Sequence, residues 1–433
     1  MNSNNLGAAV AVLLAAASPN AFAQAASTTD TAALRAQIEA LRAEQARIAE
    51  WQRQTEAKIR ELEASVGATS AAAQSAPAVA PSSPAPQFAN PDGKPKLTVS
   101  GDLRLRYQGD YSDDDARARD SGQVRGRLGA TYAVTDRVTV GARLVTGDAD
   151  DPNSVDVQMS NWDDDFQVSL DQAYAQINFG DLNVYGGKIP QPFTRTDLVW
   201  DGDVNPQGLS GVYRHKLGDG SALRASGLFF IVDEDAVGPD STMSGVQLGY
   251  DSAELGHFKF DASVAYYDYT LGSIVGADAG DFRSNLRRPD GSYLSDFNLG
   301  DFILGASYSG LGARWPVRFV GNYVKNFGAE TSQDTGYGAD LGIGRVTQPH
   351  DLRVTYGYSV AETDAVLGAF SHDNIGIGTN YELHALTVDY VPMPKTLLTA
   401  IWYHYKPENA VDAGSNAIGD WLDRIRVAFM VSF

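Results

Sequence analysis

Leu97-Thr98-Val99-Ser100-Gly101-Asp102-Leu103-Arg104-Leu105-Arg106-Tyr107 sets every odd position apolar or glycine and every even position polar. A period of two sends successive side chains to opposite faces of an extended chain, so this run predicts a strand with one greasy and one wet face. The pattern returns in Val124 to Val134, Val138 to Leu144, Phe258 to Tyr266, Leu352 to Val360 and Ile425 to Phe433. Marking every such run predicts about 16 strands, an even number as closed bacterial barrels require. They start near Leu97, Gln123, Arg137, Gln167, Leu182, Leu209, Ala222, Thr242, His257, Asp301, Trp315, Gly336, Asp351, Tyr381, Thr396 and Leu422. A soluble sandwich would alternate too. Connection length separates the two. Short turns at Thr135-Asp136, Gly180-Asp181, Gly218 to Gly220, Ser252 to Gly256, Gly310 to Ala313, Pro349-His350 and Pro392 to Pro394 alternate with longer stretches. Among the longer ones are Asp110 to Gly122, Thr146 to Asp165, Gly272 to Gly300 and Glu362 to Asn380. Segregation of turn lengths by side is what insertion from one face of a membrane leaves behind. The predicted class is therefore all-β, a transmembrane antiparallel up-and-down β-barrel over residues 96–433.

Composition agrees with that class. The 433 residues include 43 Gly, 20 Tyr and 17 Phe, with a charged fraction of only 20%. A barrel needs apolar residues only at alternate positions, so its chain stays moderate in hydropathy. There is no Cys, which removes disulfides and thiolate metal sites. The formal net charge of −20 excludes nucleic acid as a partner. Much of that charge sits in Asp113 to Asp115, Asp148 to Asp151 and Asp163 to Asp165. These runs read either as solvated outer loops or as sites for divalent cations near lipopolysaccharide; the calcium-loop pattern lacks its Gly. No other cofactor is implied.

Ahead of the barrel, Leu6 to Ala17 is apolar and Ala21-Phe22-Ala23 is a small-x-small cleavage site. Residues 1–23 are thus expected to be a secretory signal peptide, although no Lys or Arg precedes the apolar run. Leu34, Ile38, Leu41, Gln45, Ile48, Gln52, Thr55, Ile59, Leu62 and Val66 lie on a 3–4 spacing, with three polar positions that weaken the seam. That seam predicts a short α-helical coiled coil over 30–66, with a lone amphipathic helix as the alternative. Residues 67–95, rich in Ala, Ser and Pro, read as a linker. Both barrel ends fall on the short-turn side, which places the coil in the periplasm. Its expected partner there is peptidoglycan or a periplasmic protein.

Alternation also orients the arginines. Arg104, Arg106, Arg125, Arg127, Arg143, Arg424 and Arg426 all fall on the polar phase of the first three strands and the last. An arginine facing lipid at the midplane costs about 2–4 kcal/mol, so seven of them must point inward. Each lies seven or nine residues from the periplasmic end of its strand, which puts them roughly 16–21 Å above the rim unless strand stagger spreads them. They are expected to form the basic wall of a pore; pairing with carboxylates such as Asp102 for structure alone is the alternative. Tyr132, Phe179, Tyr250, Tyr308, Tyr390, Trp402 and Tyr405 stand at strand ends and suit interfacial girdles.

The third long connection carries Gly187-Lys188 followed by Gln191-Pro192-Phe193, then Trp200-Asp201-Gly202-Asp203 followed by Pro206-Gln207-Gly208. These motifs resemble the signature segment of the putative-porin family of Gram-negative outer membranes, kin of the phosphate-selective and general porins. Gln191 and Gln207 stand where that family often has Asn and Glu. The resemblance implies that residues 190–208 fold inward as a constriction, that Asp197, Asp201 and Asp203 face the basic wall, and that the chain is a homotrimer. Opposite charges across a narrow pore give a transverse field that filters ions. The same Asp residues could instead cap turns around Gly202 and Asn205.

No enzyme chemistry is legible. The six histidines lack metal-ligand spacing, and Ser371-His372-Asp373 are sequence neighbours, unlike a triad assembled by the fold. The expected function is an outer-membrane passive diffusion channel for small hydrophilic solutes and ions, embedded in lipid and lipopolysaccharide. Two alternatives are an anion-specific channel for phosphate or carboxylates, and a barrel that anchors the coil's tether. An outer-membrane hydrolase is the remaining, unsupported class.

Overall fold

A computed structural model describes residues 96–112, 118–147, 154–160, 165–236, 238–272, 284–412 and 421–433, together with Arg42 and Arg53, both helical and exposed. The expected signal peptide and linker lie outside the described residues, as does the coiled coil apart from those two arginines. Residues 1–85 and 86–433 are separate units. The acidic runs Asp113 to Asp115 and Asp148 to Asp151, and Asp163 and Asp164, also lie outside the described residues. Among the described residues no cluster of His, Asp and Glu has the arrangement of a metal site.

The second unit is an antiparallel sheet of β1 (Leu97–Tyr111), β2 (Arg119–Ala133), β3 (Val138–Thr146), β4 (Val157–Gln158), β5 (Val168–Phe179), β6 (Leu182–Lys188), β7 (Gln207–Lys216), β8 (Ala222–Asp233), β9 (Ser241–Asp251), β10 (Phe258–Leu271), β11 (Asn298–Tyr308), β12 (Val317–Asn326), β13 (Thr335–Gly344), β14 (Leu352–Ala361), β15 (Tyr381–Tyr390), β16 (Thr396–Pro407) and β17 (Leu422–Ser432). Neighbours in sequence pair in order, and β1 pairs with β17 through Asp102↔Ser432 to Tyr111↔Asp423, so the sheet closes and leaves no edge. Apart from the two-residue β4, this is the 16-strand barrel that the alternation predicts. β4 exists because β3 ends at Thr146 while β2 runs on: Gln158 and Val157 fill the gap opposite Gln123 and Val124. Segregation of connection lengths is looser than expected, since 234–240 on the long-loop side is no longer than 309–316 on the other.

The exposed side chains are the apolar ones. Leu103, Leu105, Val246, Leu248, Val264, Leu304 and Leu341 are all more than 40% exposed, and none shares a face with Arg104, Arg106 or Asp301. An apolar belt that runs across strand after strand is far larger than a soluble surface tolerates and matches lipid. Phe179, Tyr250 and Trp402 join this outer face, whereas Tyr405 is buried on the inner phase. Its parity in β16 opposes that of Trp402, so the girdle expectation fails for Tyr405.

The main apolar core lies inside the ring. Trp200, Tyr267, Phe297, Ile375 and Tyr381 are among its fully or almost fully buried members, joined by Phe193, Phe230, Tyr269 and Phe370. Strands alone contribute half of it. Most of the rest comes from two long connections that enter the lumen, 189–206 between β6 and β7 and 362–380 between β14 and β15, with Tyr293 and Phe297 added by the connection between β10 and β11. A lumen wet throughout is therefore not what forms.

Candidate functional site: the inward loops and the arginine face

Two glycines hinge the first inward loop. Gly187 and Gly208 face each other across β6 and β7, with φ of 117° and 148°. A Cβ on Gly187 would come within 2.3 Å of the Ala173 carbonyl oxygen, and one on Gly208 within 2.0 Å of that of Phe229. Only glycine allows this backbone shape and closeness, which is the physical content of the motif. Next to Gly187, Lys188 ends β6 half-buried. Ile189 N–H then donates to the Pro206 carbonyl at 2.8 Å and closes the neck.

Beyond the neck the loop runs along the inner wall. The Ser226 hydroxyl donates to the Pro192 carbonyl at 3.0 Å, and Thr194 exchanges two hydrogen bonds with the Gln247 amide at 2.7 and 2.8 Å. Phe193 packs on Tyr267 at 5.1 Å between ring centroids, and Trp200 meets Tyr267 edge-on at 5.6 Å. The inward folding of residues 190–208 is thus built from one apolar cluster and a series of backbone clamps.

The second loop, 362–380, locks onto the first. The Phe370 ring stacks on Trp200 at 5.8 Å and its carbonyl accepts the Asp201 N–H at 2.8 Å. His372 N–H donates to the Asp197 carbonyl at 3.2 Å. Asn285 pins the far side by donating to the Thr363 and Val366 carbonyls, both at 2.9 Å, and accepting Gly368 N–H at 2.7 Å. Ser371, dismissed above as a nucleophile, is buried and donates to the Gly378 carbonyl at 2.8 Å. Sequence reading missed this loop as an inward element. A legible signal was present in Ala365-Val366-Leu367-Gly368-Ala369-Phe370, too apolar for a solvated outer loop.

All seven arginines lie on the inner phase, and in the register of the ladder they run diagonally. Arg143 stands on the strand across from Gly129, Arg127 from Asp102, Arg125 from Arg104, Arg426 from Gln108 and Arg424 from Asp110 in the same sense. Gly129 faces Ser100, so in register the band runs along β1 from Ser100 to Asp110, about 33 Å of strand at roughly 3.3 Å per residue. Strands in a closed barrel are tilted, so a line of ladder partners is inclined to the membrane plane and this diagonal is one of register, not of height.

Each arginine is bonded to the protein. Asp102 takes Arg125 at 3.0 Å and Arg127 at 2.8 Å; Asp156, just before β4, takes Arg104 and, at 2.7 Å, Arg106. Asp171 bridges Arg143, brought there by the register break in β5 opposite Arg143 and Leu144. Asp110 holds Arg424 at 2.5 Å. Arg426 donates to Gln108 at 2.8 Å and Asn374 at 3.2 Å, with its guanidinium 5.6 Å from the Tyr403 ring. Arg104, Arg127 and Arg143 keep 21–24% of their side chains open to solvent, against 7% for Arg106 and Arg125.

The three loop aspartates divide. Asp203 reaches the basic face, with its carboxylate 3.4 Å from Arg127. Asp201 is buried and accepts the Asp203 N–H at 2.7 Å, so it caps a turn. That burial, with Asp373 and Asp197 nearby, pushes the Asp201 carboxyl up to about 8. Asp197 is 56% exposed and bonds to Arg195 and Asn374, each at 3.2 Å. It lines a cavity of about 370 Å³ between the two inward loops and the inner faces of β12 to β16, together with Arg195, Asn322, Asp340, Asn374 and Tyr403.

Comparison with known proteins bears on both fold and loop. Pseudomonas putida OprB at high pH is similar in fold, with a TM-score of 0.53 at 12% identity over 78% of this chain and 94% of that one. Salmonella typhi OmpF gives 0.49 at 13% identity, covering 78% and 97%, and Vibrio cholerae OmpT gives 0.47 at 11%, covering 78% and 99%. No curated protein sequence matches the chain. Residues 112–278, which contain the glycine neck and the whole first inward loop, match the family model described as putative porin, on a barrel of the outer-membrane porin fold.

Proposed function

We propose that the chain is an outer-membrane channel through which small hydrophilic solutes and ions diffuse passively, with three copies assembled side by side. The observation that carries this reading is the cavity beside the inward loops: a space of about 370 Å³ with polar groups in its lining, inside an apolar-coated ring. Transport needs such a space, whereas an anchor does not. Arg104, Arg127 and Arg143, with Asp203 opposite Arg127, supply the charged face of the narrowed section. Fixed charges at that spacing act on a passing ion because screening reaches only about 8 Å at physiological salt.

The anion-specific alternative rests on the same arginines. Their pairing weighs against it, since a guanidinium bonded to a carboxylate offers phosphate little free charge. Liposome swelling with neutral and charged sugars of graded size tests the channel. Entry of small sugars with a sharp size cutoff is expected, and no entry from correctly folded protein would refute it. Millimolar phosphate should leave the bilayer current unchanged; a block would restore the anion-specific reading.

A further inference from the structure

The inner wall pairs its carboxylates with care. Asp102 and Asp171 hold arginines as described, Asp261 holds Arg318 at 2.5 Å, Asp389 holds Arg353 at 2.7 Å, and Asp301 accepts Asn322 at 2.5 Å. Asp340 on β13 breaks the pattern. Its side chain points inward, opposite in phase to the exposed Tyr337, Leu341 and Ile343, and it is exposed to solvent. Among the described residues it makes neither an ion pair nor a hydrogen bond, the nearest wall arginines, Arg318 and Arg353, being held by Asp261 and Asp389.

The space around it is made deliberately. Gly357 stands across from Asp340 in the ladder, and a Cβ there would lie 2.3 Å from the carboxylate. The bay so formed is part of the 370 Å³ cavity, a size at the small end of ligand sites, about 300–1,000 Å³. Its other walls carry Asn322, Thr387 and the rings of Tyr381 and Tyr403. Tyr381 is fully buried, with its hydroxyl beside Ser359. Arg195 is also present but is bonded to Asp197 and to the Trp200 carbonyl. Of the Arg195, Asp197 and Asp340 charges in the lining, the Asp340 carboxylate is therefore the one left without an opposite charge.

We propose that this cavity is a permeation subsite for small hydroxylated cations and that Asp340 sets the preference. This rests on the channel reading. A paired arginine and carboxylate act at a distance as a dipole, whose field dies faster than that of a lone charge, so Asp340 outweighs the paired arginines along the path. A single charge about 7 Å away in water, screened over about 8 Å, changes the cation-to-anion ratio about two- to threefold.

Purified full-length protein would be tested in planar bilayers under a KCl gradient, and in liposomes with glucosamine against neutral N-acetylglucosamine. Wild type is expected to favour K⁺ and admit glucosamine faster. Asp340→Asn and Asp340→Ser should lower the permeability ratio two- to threefold and remove the glucosamine advantage while N-acetylglucosamine still enters. An anion preference in wild type, or a ratio indifferent to both substitutions, would overturn the proposal while leaving the channel standing. Absence of conductance from folded wild type would overturn the channel reading, and this proposal with it.

Discussion

Trp200→Ala tests whether the inward loops narrow the lumen. Trp200 is fully buried, stacked on Phe370 at 5.8 Å, edge-on to Tyr267 at 5.6 Å and 6.4 Å from Tyr269. It joins three elements: the first loop, the second loop and β10. A buried aromatic removes about 150–250 Å² from water, or about 4–6 kcal/mol at 25 cal/mol/Å², and large-to-alanine changes of this kind cost about 3–5 kcal/mol. Because Trp200 lies outside the strand ladder, the loss falls on loop docking and leaves the closed sheet intact. A penalty of that size weakens docking by two to three and a half powers of ten, at about 1.4 kcal/mol per power. The variant should therefore keep its β-sheet circular dichroism in detergent, admit larger sugars into liposomes, and become cleavable by trypsin at Arg195. Wild-type cutoff and wild-type protease resistance in a folded variant would show that this cluster does not hold the constriction.

Four further outcomes are expected. Gly208→Ala should destabilise the protein by about 2–4 kcal/mol in urea unfolding from lipid vesicles, because positive φ and the 2.0 Å approach to Phe229 act together. Gly180→Ala, with φ of 80° but open space around it, should cost only about 1 kcal/mol by the same measurement. Asp156→Asn leaves Arg104 and Arg106 without their carboxylate, so the bilayer reversal potential should move toward anions; no movement would place those arginines off the ion path. The buried Asp201 carboxyl is raised to about 8 from an unfolded value near 4, so its neutral form suits the folded loop. That contribution is complete below about pH 4 and is lost as pH rises toward 8. Trypsin cleavage at Arg195, taken relative to cleavage of an unstructured peptide at each pH, should accelerate between pH 6 and 8 in wild type and stay flat in Asp201→Asn.

Periodicity in the residue string determined the wall of this protein. A period of two and a closed ring leave one solution for which side meets lipid, and Leu103, Leu105, Arg104 and Arg106 take the faces that their parity dictates. The glycine and tryptophan motifs were legible for a similar reason, since a neck with φ near 117° or 148° tolerates only glycine, whatever surrounds it. What fills the ring was decided by tertiary structure. Parity says inward, but not in which register, and strand stagger sets the arginines along a diagonal of the ladder. Pairing partners such as Asp156 and Asp171 arrive through a gap in β3 and a register break in β5, neither of which leaves a local pattern. The inward path of 362–380 and the solitude of Asp340 depend on contacts between residues far apart in the chain. Local spacing carries no record of such contacts, because only closure of the barrel brings them within reach.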